Sequence, residues 1–284
     1  NQQFAHLKTL RLGLVPQAAA MPAVAILPMF RSYGHYNSSR QYDCEYGLYF
    51  DIWVRNQRAD EASEQANRVY DELESFLDEH YDVGGRCYNI RFDEVKKDEP
   101  FQDATRHYVQ SITVPVSFFS KETLPPLKSY VRQDQQTHDT LPAMLFAVIR
   151  DDLKASTPYQ INFFRGASHP ASPVYPAVTL TEVAKGRDRT ISGMDNDRRD
   201  FSVVILTDLT PHDSSIEQNL VITDEACRIV MENLYCGGYS YNMKINTVTF
   251  QVGQVEDSHQ FLYSSEIAFS VWAKRRLPVY AGAV

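Results

Sequence analysis

Apolar and polar residues follow two periods along this chain, and the same succession of periods occurs twice. In the second half, Leu141, Leu145, Val148, Ile149 and Leu153 recur at helical spacing, which predicts an amphipathic helix over Thr140–Ser156. The aromatic-rich segment Tyr159–Arg165 alternates and reads as a strand. Ala177–Val183 is a second strand, with Val178, Leu180 and Glu182 on one face and Ala177, Thr179, Thr181 and Val183 on the other. The charged stretch Lys185–Arg199, interrupted by Gly186 and Gly193, is expected to be a loop. Phe201–Thr207 has the continuous apolar run of a central strand. Ser214 and Glu217 have the spacing of a capping box ahead of the stripe Ile222, Ala226, Ile229, Val230 and Leu234, and Gly237-Gly238 supplies the left-handed stop. Strands near Asn242–Val252 and Gln260–Lys274, joined by a turn around Gly253–Asp257, close this half.

The first half repeats the order from its first strand onward. Leu7–Leu12, Ala23–Phe30 and Leu48–Val54 read as strands, and Asp60–Tyr81 as a helix with the stripe Ala62, Ala66, Val69, Leu73, Phe76 and Leu77. Strands near Tyr88–Lys96 and Tyr108–Ser120 follow. A helix leading this half has no counterpart in the chain; the pattern takes it as lost or as lying upstream of Asn1. A shift of 153 residues aligns Asp60–Pro125 with Asp213–Pro278 without a gap, and 16 of the 66 positions are identical. Unrelated sequences would match at roughly four, so the pattern is that of an internal repeat. Gly84-Gly85 meets Gly237-Gly238, Tyr88-Asn89 meets Tyr241-Asn242, and Leu124-Pro125 meets Leu277-Pro278. Upstream, Pro22-Ala23-Val24 meets Pro176-Ala177-Val178 at a shift of 154.

These boundaries give a first unit over 1–126, a linker over 127–139 rich in Gln, Asp and Thr, and a second unit over 140–284. The expected fold class is α+β: two tandem similar domains, each a mostly antiparallel sheet with helices packed on one face. A hydrophobic content of 43% suffices for a core in each. With 36 acidic against 28 basic residues the formal charge is −8, which argues against a protein that grips nucleic-acid phosphates. The four cysteines, Cys44, Cys87, Cys227 and Cys236, form no CxxC pair and read as free thiols in a reducing compartment. No apolar run approaches the ~18 residues of a membrane span, and no secretory leader is recognisable. The sequon at Asn37-Ser38-Ser39 is a match that chance readily supplies.

Candidate chemistry is sparse. Gly84-Gly85 follows a helix instead of opening one, so it is no phosphate loop. Asp195-Asn196-Asp197 begins like a calcium loop, but Arg199 occupies the next ligand position, and the stretch reads as solvated. The eight histidines contain no HxH or HExxH spacing. His80, aligned with Asn233, is expected to be capped or half-buried, and His107 and His259 to be exposed near turns. The paired carboxylates Asp71-Glu72, Asp78-Glu79 and Asp93-Glu94 are sequence neighbours, not groups facing each other across a cleft, and no nucleophile elbow occurs. The reading therefore assigns no catalytic residue, metal ligand or cofactor, and expects no enzyme. The 17 tyrosines and 15 phenylalanines, including Phe118-Phe119 and Phe163-Phe164, alternate within strands and suit core packing and protein interfaces better than base stacking. Lys274-Arg275-Arg276 aligns with Lys121-Glu122-Thr123, so this basic cluster marks a contact specific to one unit.

The order of a leading helix, strands around a loop, a middle helix stopped by glycine and a long closing hairpin over Tyr239–Leu277 resembles the tail terminator, or tail completion, proteins of tailed bacteriophages. The resemblance implies a ring, usually of six subunits, at the head-proximal end of the tail tube, where it stops polymerisation and joins the tail to the neck. It implies no catalytic residues, cofactor or metal. Its partners would be further copies of the chain, the tube protein, a neck or connector protein and a tail sheath, with DNA passing through the channel and no membrane involved. The setting would be the virion, assembled in the host cytoplasm. Two units in one chain would give either three chains with pseudo-sixfold symmetry or six chains in two layers. Candidate contact residues then lie in the turns and the charged loop: Lys97, Glu99, Phe101, Asp103, Arg187, Arg189, Asp195, Arg198, Gln254, Glu256 and Asp257. The alternatives are a neck adaptor or another tail component, and a duplicated α+β enzyme with its site between the units.

Overall fold

A computed structural model describes residues 7–14, 19–34, 40–127, 140–166, 174–189, 195–208, 214–236, 239–254 and 261–274 of the chain. It is a mixed α/β fold with mostly antiparallel strands and three helices among those residues. The chain divides into two compact units, Asn1–Thr123 with Pro211–Ile216, and Leu124–Thr210 with Glu217–Val284.

In the first unit the elements run β1 (Thr9–Leu12), β2 (Ala23–Tyr33), β3 (Gln41–Asn56), α1 (Ala59–Glu79), β4 (Asn89–Phe92), β5 (Lys96–Lys97), β6 (Phe101–Gln102) and β7 (Tyr108–Thr123). The strand order is β4-β7-β3-β2-β1, with β5 and β6 also alongside β7. Only β1 and β2 run parallel here. Alternation along the strands turns Phe50, Ile52 and Val54 of β3 and Ile112, Val114, Val116 and Phe118 of β7 toward one face. There they meet the helical stripe Ala66, Val69, Leu73 and Leu77 in one buried cluster. Burying each large apolar side chain contributes about 1.5–3 kcal/mol, so this contact dominates the stability of the unit.

The second unit opens with α2 (Leu141–Ser156), whose first turn is closed by Thr140 Oγ1 accepting from the Ala143 amide at 3.4 Å. Then follow β8 (Asn162–Arg165), β9 (Ala177–Arg189), β10 (Asp195–Asp208), α3 (Ser214–Glu232), β11 (Ser240–Gln254) and β12 (Phe261–Lys274). The order is β11-β12-β10-β9-β8, with β8 and β9 the parallel pair. The register recurs from one unit to the other. Ile52 faces Ile112 in the first, and Ile205 faces Ser265 at the matching place in the second. Val24 faces Ile52, and Val178 faces Ile205. Arg91 faces Ser117, and Lys244 faces Ser270. Gly13 and Gly166, with φ of 107° and 110°, end the parallel strands and donate to the carbonyls of Ile26 and Leu180.

Several expectations need correction. Both ends of the charged stretch Lys185–Arg199 are strand and not loop: β9 runs to Arg189 and β10 starts at Asp195, with Lys185 opposite Arg199 and Arg189 opposite Asp195, while 190–194 lie outside the described residues. The two arms satisfy each other's backbone groups, and Gly186 sits within the ladder as a strand residue, not a breaker. In the first unit the expected strand Tyr88–Lys96 is broken into short pieces, whereas its counterpart β11 is continuous. His80 caps the C-terminus of α1, as one of the two expectations had it, but is exposed, its ring stacked on Phe76 at 4.4 Å and its Nδ1 2.9 Å from the Phe76 carbonyl oxygen. His107 is half-buried, not exposed. The α3 helix ends at Glu232, ahead of the turn through Cys236, and Gly237-Gly238 lie outside the described residues, as do the linker residues 128–139 and His259.

The two cores differ in polarity. In the second unit Asn219, Thr223, Thr207 and Ser265 are all fully buried between α3 and the sheet. Asn219 Nδ2 donates to the carbonyls of Ile205 at 3.1 Å and Tyr263 at 3.3 Å, and Thr223 Oγ1 lies 2.5 Å from Ser265 Oγ. The matching positions in the first unit are Ala66, Tyr70, Val54 and Ile112. Asn219→Ala should lower stability by roughly 1–3 kcal/mol, because it leaves buried groups without partners. Denaturant unfolding of the intact chain checks this, and an unchanged midpoint would contradict it.

Candidate interaction surfaces

On the sheet face turned away from the helix, each unit carries a buried serine in a network of charges. Ser117 and Ser270 occupy matching positions and are each 1% exposed, so their hydroxyls need partners within the protein. Ser117 Oγ donates to Asp93 Oδ2 at 3.3 Å and accepts from Arg91 Nη2 at 3.4 Å. Arg91 also pairs with Glu45 at 2.9 Å and Asp93 at 3.1 Å, with its guanidinium 5.3 Å over the Phe119 ring. Ser270 Oγ donates to Asp200 Oδ1 at 2.6 Å and accepts from Arg198 Nη2 at 3.3 Å and Asn246 Nδ2 at 3.1 Å. Arg198 pairs with Asp200 at 3.0 Å and lies 5.9 Å over the Trp272 ring. The arginines come from different strands, β4 and β10, yet reach the same serine position. Each serine hydroxyl thus donates to a carboxylate and accepts from an arginine, and the two sets hold the sheet face in one arrangement. The repeat identity of Ser117 with Ser270 was the sequence signal for these networks; the charged partners, supplied by different strands, gave none.

The candidate contact residues fall into separate groups. Lys97 is tied to α1, with Nζ 2.8 Å from Asn67 Oδ1 and 5.4 Å over the Tyr70 ring. Glu99 is exposed, and Phe101 is 50% exposed in β6. Asp103 organises the turn into β7: its Oδ1 accepts from the Thr105 amide at 2.8 Å and the His107 amide at 3.1 Å, while Oδ2 is 2.9 Å from Arg55 Nε. The Thr105 hydroxyl, the turn amides and Arg55 hold the Asp103 carboxyl below its usual range, so it serves the turn before any partner. Arg187, Arg189, Asp195 and Arg198 share the β9–β10 hairpin. Gln254 ends β11 opposite Phe261, while Glu256 and Asp257 lie outside the described residues.

Within the second unit these groups do not converge. Asn196 of the β9–β10 hairpin is paired with Lys274, at one end of β12, and Gln254 with Phe261, at the other. At about 3.3 Å per residue the two ends are ~40 Å apart. The first unit has the same layout, with Gln41 opposite Thr123 at one end of β7 and Asn56 opposite Tyr108 at the other.

Compared with known protein families and with curated proteins, the chain matches no family model and no individual sequence. No group of three or more His, Cys, Asp or Glu able to hold a metal ion occurs among the described residues. Nor is any described helix long and apolar enough to cross a membrane. Cys44, Cys227 and Cys236 are buried and Cys87 is half-buried, none of them in a disulfide, and burial pushes the Cys236 thiol up to about 12.

One carboxylate on the outer face of the first unit is held against its solvation. Asp51 sits between Ala25 and Thr113, and its Oδ1 is buried with no hydrogen-bond partner among the described residues. Burial raises its pKa above the ordinary 3.8; a hydrogen bond with Thr113 opposes the rise and the nearby charge of Asp98 adds to it. The folded chain therefore holds this proton to a higher pH than the unfolded chain does. Stability from this group is lost as pH rises from the ordinary carboxylate range through the raised value. Asp51→Asn should accordingly raise the melting temperature at neutral pH, with the gain vanishing as the pH falls below 3.8. Thermal melts across that range test it; a gain equal at every pH, or a loss at neutral pH, would contradict it.

Proposed function

We propose that the chain is a structural protein of a bacteriophage tail, made of two copies of one unit, that assembles into a ring ending the tail tube and joining it to the neck. The observation that carries this reading is the two-ended layout of each unit. In the second unit the candidate residues of β9 and β10 and Gln254 lie at opposite ends of β12, which suits a brick spanning two neighbours. The recurrent strand order, the recurrent register and the 16 identities in 66 positions support descent of both units from one ancestor. Divergence elsewhere suits copies that meet different partners.

In this reading the β9–β10 hairpin with Arg187, Arg189, Asp195 and Arg198 meets one neighbour. The expected turns at Lys97–Thr105 and Gly253–Ser258 likewise reach the tube or the neck. Lateral packing closes the ring through unlike surfaces, as three chains with pseudo-sixfold symmetry or as six chains in two layers. The formal charge of −8 keeps a channel of this kind from trapping DNA. The chain works by geometry and carries out no catalysis. Purified chain viewed by negative-stain electron microscopy, with its mass measured by light scattering, should give closed rings of three or six chains. Lone particles of one chain's mass at all concentrations would overturn the proposal.

A further inference from the structure

Two carboxylates of the first unit, Asp51 and Asp98, are brought together on the outer sheet face by neighbouring hydroxyls of β7. Asp51 stands opposite Thr113, and the two side chains are hydrogen-bonded. Two residues earlier on β7, and on the same face, Ser111 Oγ donates to Asp98 Oδ2. The charge of Asp98 therefore bears on Asp51, whose Oδ1 is buried with no hydrogen-bond partner among the described residues. Asp98 itself is exposed and follows β5, which pairs with β7 only through Lys96 with Thr113 and Lys97 with Ile112. Its backbone completes the attachment. The Asp98 amide donates to the Ser111 carbonyl at 3.3 Å, and its carbonyl accepts from Gln110 Nε2 at 2.5 Å. Gln110 is 4% exposed and accepts in turn from Ser63 Oγ of α1 at 3.0 Å. Elsewhere on this face of the unit, Ala25 lies between Asp51 and Arg11 of β1, and Thr113 lies between it and Lys96. Tyr49 and Trp53 are its same-face neighbours on β3, and neither cation is bonded to its Oδ1.

We propose that Asp51 and Asp98 form a pH-operated latch that holds the β5 segment, and the turn Lys97–Thr105 that it leads into, against β7 in mild acid and releases it as Asp51 ionises. While Asp51 is neutral it faces one charge, that of Asp98, and its buried oxygen costs little. Once it ionises, two negative charges stand side by side and Oδ1 is cut off from water. Relief comes from the carboxylate that can move. Asp51 lies mid-strand in β3 and is laddered on both sides, whereas Asp98 follows a strand of two residues. The β5 segment therefore opens, a local event that leaves the core under α1 in place. Burial is the main cause that lifts the Asp51 pKa above 3.8, and the charge of Asp98 adds to it. The latch is accordingly shut below the raised value and loosens as pH rises through it. Lys97 of β5, Glu99 and Phe101 of β6 ride on this segment. In the ring reading the latch tunes a contact turn; the latch itself rests on no part of that reading.

Amide hydrogen exchange on the intact chain tests the latch, followed from just above the ordinary carboxylate range to mildly alkaline pH and expressed as protection factors. Protection of the Asp98 amide should fall by about tenfold or more over that range. The Asp93 amide, bonded to the Pro115 carbonyl at 3.0 Å on the same edge, should keep its protection. Asp51→Asn removes the charge that drives the opening and keeps the shape, so its Asp98 profile should stay flat at the level seen in acid. Asp98→Asn lies at an exposed position, and its amide oxygen can still accept from Ser111. It should flatten the profile too, and it decides the matter if the first variant fails to fold. A wild-type profile flat with pH, or a fall that persists in either variant, overturns the proposal. Particle mass, read by light scattering on the same samples, reports on the ring alone: single-chain particles with the expected pH profile would end the ring reading and leave the latch standing.

Discussion

Each sheet in this chain has one face too apolar to meet water, and a helix stripe laid across it is the contact on which everything else rests. In the first unit Val69, Leu73 and Leu77 of α1 meet Ile52 and Val114. In the second, α3 does the same with Asn219 and Thr223 inserted into the contact as a hydrogen-bonded pin. Because strand alternation fixes which residues face the helix, the register cannot slip without turning the core outward. That constraint explains why the pairings of Ile52 with Ile112 and Ile205 with Ser265 recur although one partner has changed from Ile to Ser.

With the helical face committed to the core, the opposite face and the strand ends are left for other work. The opposite face is polar and neutralises its own charges through the networks around Ser117 and Ser270. Exposed ion pairs of this kind are worth little each, ~0–1 kcal/mol, so their part is to hold the face in one arrangement. The strand ends lie far apart along β7 and β12, and in the proposed reading each unit makes contact there.

Much of this architecture was legible in the sequence. The stripe of α1 and the run Phe50, Ile52 and Val54 are periodic signals with a direct cause in burial, and the structure buries them, Phe76 only by half. The β9–β10 hairpin was not legible. Its arms, Lys185 to Arg189 and Asp195 to Arg199, are charged on both faces, so no apolar alternation marks them as strands; backbone pairing alone makes them so. The breaks between β4, β5 and β6 escaped for a related reason, since β11 at the matching position is continuous and the repeat suggested the same for both. The contact residues were found only as turn residues. Which of them are spoken for, as Asp103 is by its own turn, depends on hydrogen bonds that spacing does not encode.

The central proposal is that one sheet-and-helix frame occurs twice, with α2 packed on the second occurrence among the described residues. Amide hydrogen exchange on the intact chain reads this directly, segment by segment. The account predicts that residues 161–166 and 233–236, which α2 covers, exchange at least about tenfold more slowly than their counterparts 8–13 and 80–83. Equal protection of the paired segments, or faster exchange in the second unit, would contradict it.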